Sequence, residues 1–262
     1  MIARPLMALV AASLALSGCA GVIRDRIYQP DTIGMDALDW TGEMPRQVST
    51  KTADGLDIQG YYFPPTNGSR DILVFFHGNG GSRHSAAKVA QPLAGHGPGI
   101  LIADYRGYGG NPGSPSEKGL FADGAAFIQL ARQLQPGGKL YLFGWSLGGA
   151  VALEQAARTQ VDGVVTLGTF TRLADMAPAL ARGLLPDRFD NLSAIKRVSA
   201  PVFLFHGDAD QVVPYAHAAR LSEASGGQAP VVTLRGADHH LDFAIIAPHV
   251  WAALEHGRPP QQ

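Results

Sequence analysis

Ser146 lies in Gly144-Trp145-Ser146-Leu147-Gly148, a G-x-S-x-G pattern, between the run Lys139–Phe143 and an alanine-rich stretch that starts at Leu147. A serine on a sharp strand-to-helix turn projects its hydroxyl from a sheet edge, and glycines on either side let neighbouring backbone pass close by. A hydroxyl is a poor nucleophile until a base removes its proton and an acid orients that base. Candidates for both follow later apolar runs. Asp208 and Asp210 come after Pro201–Phe205, and His239 and His240 come after Val231–Leu234. A tight turn without chemistry would use the same glycines, so the meaning of Ser146 depends on these partners.

The elements that must position them alternate. Leu56–Phe63 has the in-out pattern of an early antiparallel strand. Ile72–Phe76, Ile100–Ala103, Lys139–Phe143, Val161–Leu167, Pro201–Phe205 and Val231–Leu234 read as short buried strands, each running into a turn. Uninterrupted apolar strands belong to parallel sheets covered on both faces. Helical stretches separate them at about His84–Ala94, Ser116–Gln135, Leu147–Thr159, Tyr215–Ser225 and Asp242–His256. This alternation predicts βαβ crossovers and a doubly wound, mostly parallel α/β domain over 45–256. Residues 169–200, with Met176, Leu180, Leu184 and Leu185, are too long for a bare loop and read as a small helical cap.

Gly144-Trp145-Ser146-Leu147-Gly148-Gly149 resembles the nucleophile elbow of the α/β-hydrolase superfamily. His77-Gly78-Asn79-Gly80-Gly81, Asp104-Tyr105-Arg106-Gly107-Tyr108-Gly109 and His206-Gly207-Asp208-Ala209-Asp210 extend the resemblance over about 47–254. Together they are similar to the Bem46-like and serine-aminopeptidase-like branch, which includes esterases and protein-depalmitoylating thioesterases. The resemblance implies an α/β-hydrolase fold and the triad order serine, acid, histidine. Its acid pattern falls on Asp210, leaving Asp208 to bond its own turn. His239 aligns as the base, with His240 the alternative. Asp238 stands where the family has glycine, so its carboxylate is expected to raise the His239 pKa if the two touch. The implied oxyanion donors are the backbone N–H groups of Leu147 and Asn79. Trp145 and Phe170 could line an acyl pocket or fill core.

Composition narrows the alternatives. The 262 residues carry 21 Lys+Arg against 22 Asp+Glu, without a dense basic run, which argues against nucleic-acid binding. The nine histidines show no H-E-x-x-H spacing, so neither a metal nor another cofactor is expected. His77 and His206 read as turn supports; His84 and His217 read as surface residues. Asp104 and Arg106 are expected to pair across their turn. The single cysteine excludes an internal disulfide. It is Cys19, in Leu16-Ser17-Gly18-Cys19, after the apolar run Leu6–Leu16. At about 1.5 Å per residue that run is too short to span a bilayer. It resembles a bacterial lipoprotein signal peptide (1–18) whose cleavage leaves Cys19 acylated. The same resemblance, with Ala20 after the cysteine, implies the outer membrane, facing the periplasm. Residues 19–44 read as tether and lead-in, with Trp40 packing on the domain, and 257–262 as a frayed tail. The leading expectation is a membrane-anchored serine hydrolase of carboxylic esters or thioesters. An amidase or peptidase using the same groups, or a non-catalytic anchored binding protein, are the alternatives.

Overall fold

The computed structural model describes residues 21–258. The signal-peptide reading of 1–18 and the acylation reading of Cys19 concern residues outside that range. Eight strands form one sheet: β1 (Arg46–Lys51), β2 (Asp57–Phe63), β3 (Ile72–Phe76), β4 (Gly99–Ala103), β5 (Leu140–Trp145), β6 (Gly163–Leu167), β7 (Val202–Gly207) and β8 (Val231–Leu234). Their order is β8-β7-β6-β5-β3-β4-β2-β1. Strand β2 runs antiparallel to β1 and β4, and the remaining pairs are parallel. Strand β1 was not anticipated. It is an exposed edge with the sequence Arg-Gln-Val-Ser-Thr-Lys, whose hydrogen bonds to β2 rather than apolar burial make it a strand.

The two-residue side-chain period of a strand sorts the core into two layers. On β3, Ile72, Val74 and Phe76 face one layer, while Leu73 and Phe75 face the other. The first layer is covered by α2 (Glu117–Leu134), α3 (Leu147–Arg158), α4 (Asn191–Ile195) and α5 (Ala216–Ala224). The second is covered by α1 (Arg83–Ala90) and α6 (Phe243–His256). Helix α2 begins where Ser116 accepts the Gly119 N–H at 3.1 Å, and α6 ends at Gly257, which has the left-handed φ of 64° that stops a helix. The cap is slighter than expected: two 3₁₀ turns, Leu173–Met176 and Ala179–Leu184, then α4. The lead-in is not a bare tether. Residues 21–27 are helical, and Gln29–Pro30 pairs with Gly80–Gly81 beyond β3. Trp40 stacks on Phe63, with centroids 6.1 Å apart.

The expected Asp104–Arg106 pair is not formed. The chain turns between them and aims each at a different buried partner. Arg106 forks onto Asp123 of α2, with Nη2 2.8 Å from Oδ1, and reaches Asp54 at 2.7 Å through Nη1. Asp104 instead accepts from Arg83 Nη1 at 3.2 Å and lies 3.1 Å from His77 Nε2. Asp123 is fully buried, so Arg106→Ala would leave its carboxylate without a cation. The expected cost is about 3–5 kcal/mol, seen as a lower urea midpoint at unchanged m-value.

Candidate active site

The candidate catalytic and oxyanion residues lie at the carboxyl ends of the parallel strands, where open α/β sheets form their ligand crevice. Ser146 joins β5 to α3 with φ 54° and ψ −114°. Such a conformation costs a non-glycine residue on the order of 1–3 kcal/mol. The fold holds it by close backbone contact. Ser146 N–H donates to Leu167 O at 2.8 Å. A Cβ at Gly144 would run into Gly148 O and Gly149 Cα, and one at Gly148 into the carbonyls of Phe76 and His77. Those two glycines therefore let β5, α3 and the end of β3 share one crossing point. Leu147 is the first residue of α3, and N–H groups in that first turn have no acceptor within the helix.

Asp210 and His239 meet beyond β7 and β8. His239 Nδ1 lies 2.7 Å from Asp210 Oδ2, and both residues are buried. The other carboxylate oxygen accepts the Val212 and Val213 N–H groups at 2.8 and 2.7 Å, which fixes the plane of the acid. His206 backs the pair, with Nε2 donating to Val213 O at 2.8 Å. Burial pushes its pKa below the ordinary histidine range, which favours the neutral ring beside Asp210. Asp208 does not bond its own turn; it accepts Gly236 N–H at 2.6 Å and so ties the acid loop to the histidine loop. Asp238 caps the His240 N–H at 2.8 Å from an exposed position, so its carboxylate is committed to the loop backbone. His240 is exposed where His239 is buried.

Asn79 follows β3. Its side-chain amide donates to Ile27 O at 3.1 Å, and its carbonyl accepts from Gln29 N–H and Tyr108 Oη–H, each at 2.8 Å. Among the described residues none of these bonds uses its backbone N–H. Two cavities meet at Ser146 and Asn79. One, of about 490 Å³, has His239, His240, Trp145, Asp31 and Ser85 in its walls. The other, of about 380 Å³, is lined by Leu147, Phe170, Leu173, Met176, Leu185, Ile23 and Ile27. Trp145 thus faces the first cavity and also packs 6.1 Å from the His239 ring. Phe170 faces the second cavity and belongs to the core as well.

Residues 71–193 match the family profile described as alpha/beta hydrolase fold. The uncharacterized protein Rv2307c of Mycobacterium tuberculosis is 36% identical over 251 residues, covering 91% of this chain and 88% of that one. The chain belongs to the α/β-hydrolase family. Protein bem46 of Schizosaccharomyces pombe is 29% identical over 185 residues, covering 64% of this chain and 61% of that one, which supports the Bem46-like branch. Among solved structures, the esterase domain of a Rhodothermus marinus protein superposes with a TM-score of 0.63 at 23% identity, over 81% of this chain and 99% of that one. That likeness concerns the fold.

Within this α/β hydrolase, several residues near the site carried no clear sequence signal. His217 is buried rather than exposed; its Nδ1 accepts the Thr171 N–H at 3.1 Å, and burial lowers its pKa. His84 is half-buried, with Nδ1 3.0 Å from the Tyr61 hydroxyl. Ile23, Ile27, Gln29 and Asp31 come from the irregular lead-in, where a helix this short leaves too few positions for a periodic signal. Val212 and Val213 were visible only as hydrophobics after Asp210.

Gly168, just past β6, supports the acid–histidine pair from below at φ 58°. A Cβ there would lie 3.0 Å from His239 Nδ1 and 3.2 Å from Asp210 Oδ2. Gly168→Ala is expected to shift the imidazole and lower ester-hydrolysis kcat about 10²-fold. Steady-state kinetics on the variant, with its circular dichroism unchanged, check this.

Proposed function

We propose that the chain is a serine hydrolase cleaving carboxylic esters or thioesters through Ser146, His239 and Asp210. The observation that carries this is the division of the crevice at Ser146, with His239 on the wall of one cavity and Leu147 on the wall of the other. In the proposed reaction Ser146 Oγ adds to the acyl carbonyl as His239 takes its proton. Asp210 holds the imidazole tautomer and stabilises the imidazolium. The oxyanion is received by the N–H groups of Leu147 and Asn79, and loss of one such donor typically costs about 3–4 kcal/mol. When the carbonyl re-forms, the ester or thioester bond breaks and His239 gives its proton to the departing oxygen or sulfur. Water then attacks the acyl-enzyme, again losing a proton to His239. That proton returns to Ser146 Oγ as the carboxylic acid leaves. A purely binding protein has no need to hold a serine in so costly a backbone conformation.

In this proposal the enzyme works at a membrane surface. Acylation of Cys19 would anchor it in the bacterial envelope, at the outer membrane facing the periplasm. Covalent chain length alone then keeps Ile23, on the wall of the apolar cavity, within about 14 Å of the anchor. The segments that wall this cavity also carry strongly exposed apolar side chains: Leu180 is 97% exposed, Leu184 69% and Val22 66%. Both features suit an acyl donor presented from lipid.

Fluorophosphonate labelling is expected for the wild type and absent from Ser146→Ala, whose thermal unfolding should stay cooperative. Asp210→Asn should lower kcat by about 10⁴. Labelling that persists in Ser146→Ala would sink the assignment. For the membrane reading, Leu180→Asp combined with Leu184→Asp is expected to depress turnover of a long-chain thioester held in anionic vesicles. Turnover of a soluble short-chain ester should be spared. Equal loss on both substrates would argue against it.

A further inference from the structure

We propose that residues 23–31, which the sequence presents as a plain lead-in, are a working part of the active site. Ile23 and Ile27 select the acyl chain, and the backbone from Ile27 to Asp31 positions the Asn79 donor. The proposal rests on the serine-hydrolase reading and adds a substrate class to it: an aliphatic acyl group joined to a polar leaving group.

The attachment of this segment to the loop after β3 is dense. Asn79 Nδ2 donates to Ile27 O at 3.1 Å, and Gln29 N–H donates back to Asn79 O at 2.8 Å. Gln29 and Pro30 then pair with Gly80 and Gly81 as a short parallel ladder. Asp31 N–H donates to Gly81 O at 2.9 Å, while its Oδ2 accepts the Ser85 hydroxyl at 2.7 Å. The loop that presents the Asn79 N–H is thus fixed from one side by Tyr108 and from the other by the lead-in. On the cap side, Asp187 receives Arg24 through two bonds of 2.9 Å and the Tyr28 hydroxyl at 2.9 Å. The segment spans the gap between the oxyanion loop and the cap.

Ile23 and Ile27 are one helical turn apart, so they share a face. That face forms a wall of the apolar cavity that Leu173 and Met176 of the cap also line. The roles of the two cavities follow from proton delivery. The leaving atom must receive its proton from His239, so it lies in the cavity that His239 lines, beside Asp31, Ser85 and His240. The acyl chain then extends into the cavity containing Leu147 and the two isoleucines. Each methylene buried there should raise kcat/KM about fourfold until the cavity is filled.

The test uses the full-length chain on a series of saturated acyl esters and thioesters from acetyl to palmitoyl. Wild type should prefer a chain longer than acetyl. Ile27→Trp should fill the cavity and lower the ratio of octanoyl to acetyl kcat/KM at least tenfold. Should that variant fold poorly, Ile23→Trp, at the half-buried position one turn earlier, is expected to do the same. Asn79→Ala retains the backbone N–H but loses the tie to Ile27 O. It should lower kcat with little change in KM, the mark of misplaced transition-state donation rather than lost binding. Tryptophan variants that fold, hydrolyse acetyl esters and keep the wild-type chain-length profile would overturn the proposal. A wild type that neither takes a fluorophosphonate label nor turns over any ester removes the hydrolase reading, and this one with it.

Discussion

Everything at the crevice depends on the close backbone crossing at Ser146. The serine is held at a positive φ by three neighbours at once: its N–H on the end of β6, Gly148 on the carbonyls that end β3, and Gly144 against the first turn of α3. These are contacts between backbones, and a Cβ at either glycine would separate them. The same crossing puts the first N–H groups of α3 beside the serine and brings the loop after β3, with Asn79, across from them. One packing constraint therefore puts Ser146 on the wall of both cavities and sets both candidate oxyanion donors.

Around that crossing, polar burial is organised so that each loop is fixed from beneath. Under the loop of Asn79, His77 lies between Asp104 and the Gly78 carbonyl, packed 4.5 Å from the Tyr105 ring, while the Tyr105 hydroxyl donates to His77 O. Arg83 of α1 completes the set by reaching Asp104. Under the acid, His206 and the Val212 and Val213 amides do the corresponding work. Buried charges unpaired in this region would be costly, so these bonds hold the loops in place by making every alternative arrangement worse. The Asp187 carboxyl shows the same principle at the cap. Burial opposes its ionisation, yet hydrogen bonds from Arg24, the Glu117 backbone and Tyr28 hold it below its ordinary range.

Much of this was legible in the sequence wherever the physical signal is local. Short apolar runs ending in glycine gave the parallel strands, because a strand covered on both faces has no polar side to show. The elbow glycines flanking Ser146 were legible because crowding there excludes any side chain. Strand β1 was not legible, since an exposed edge strand needs hydrogen bonds but little hydrophobicity. The partners of Asp104 and Arg106 were not legible either. Each finds its counterions between 17 and 52 residues away, and adjacency in sequence suggested a pair that the turn between them prevents.

The sequence by itself determined the fold class, the position of the candidate nucleophile, and a short list for its acid and base. Strand periodicity, glycine sterics and residue chemistry are properties of a few consecutive residues. The family resemblance favoured Asp210 and His239 on that list, and only the tertiary structure supplied the contacts that separate them from their neighbours. Asp210 rather than Asp208 meets an imidazole, because the acid loop is zipped to the histidine loop by Ala209 N–H on Ala237 O and Gly236 N–H on Asp208. His239 is buried and His240 is exposed by that same register. The lead-in was converted from tether to a wall of the crevice by bonds to Asn79, Gly81 and Asp187, all far off in the chain. Contacts of that kind exist only once the sheet has brought its strand ends together.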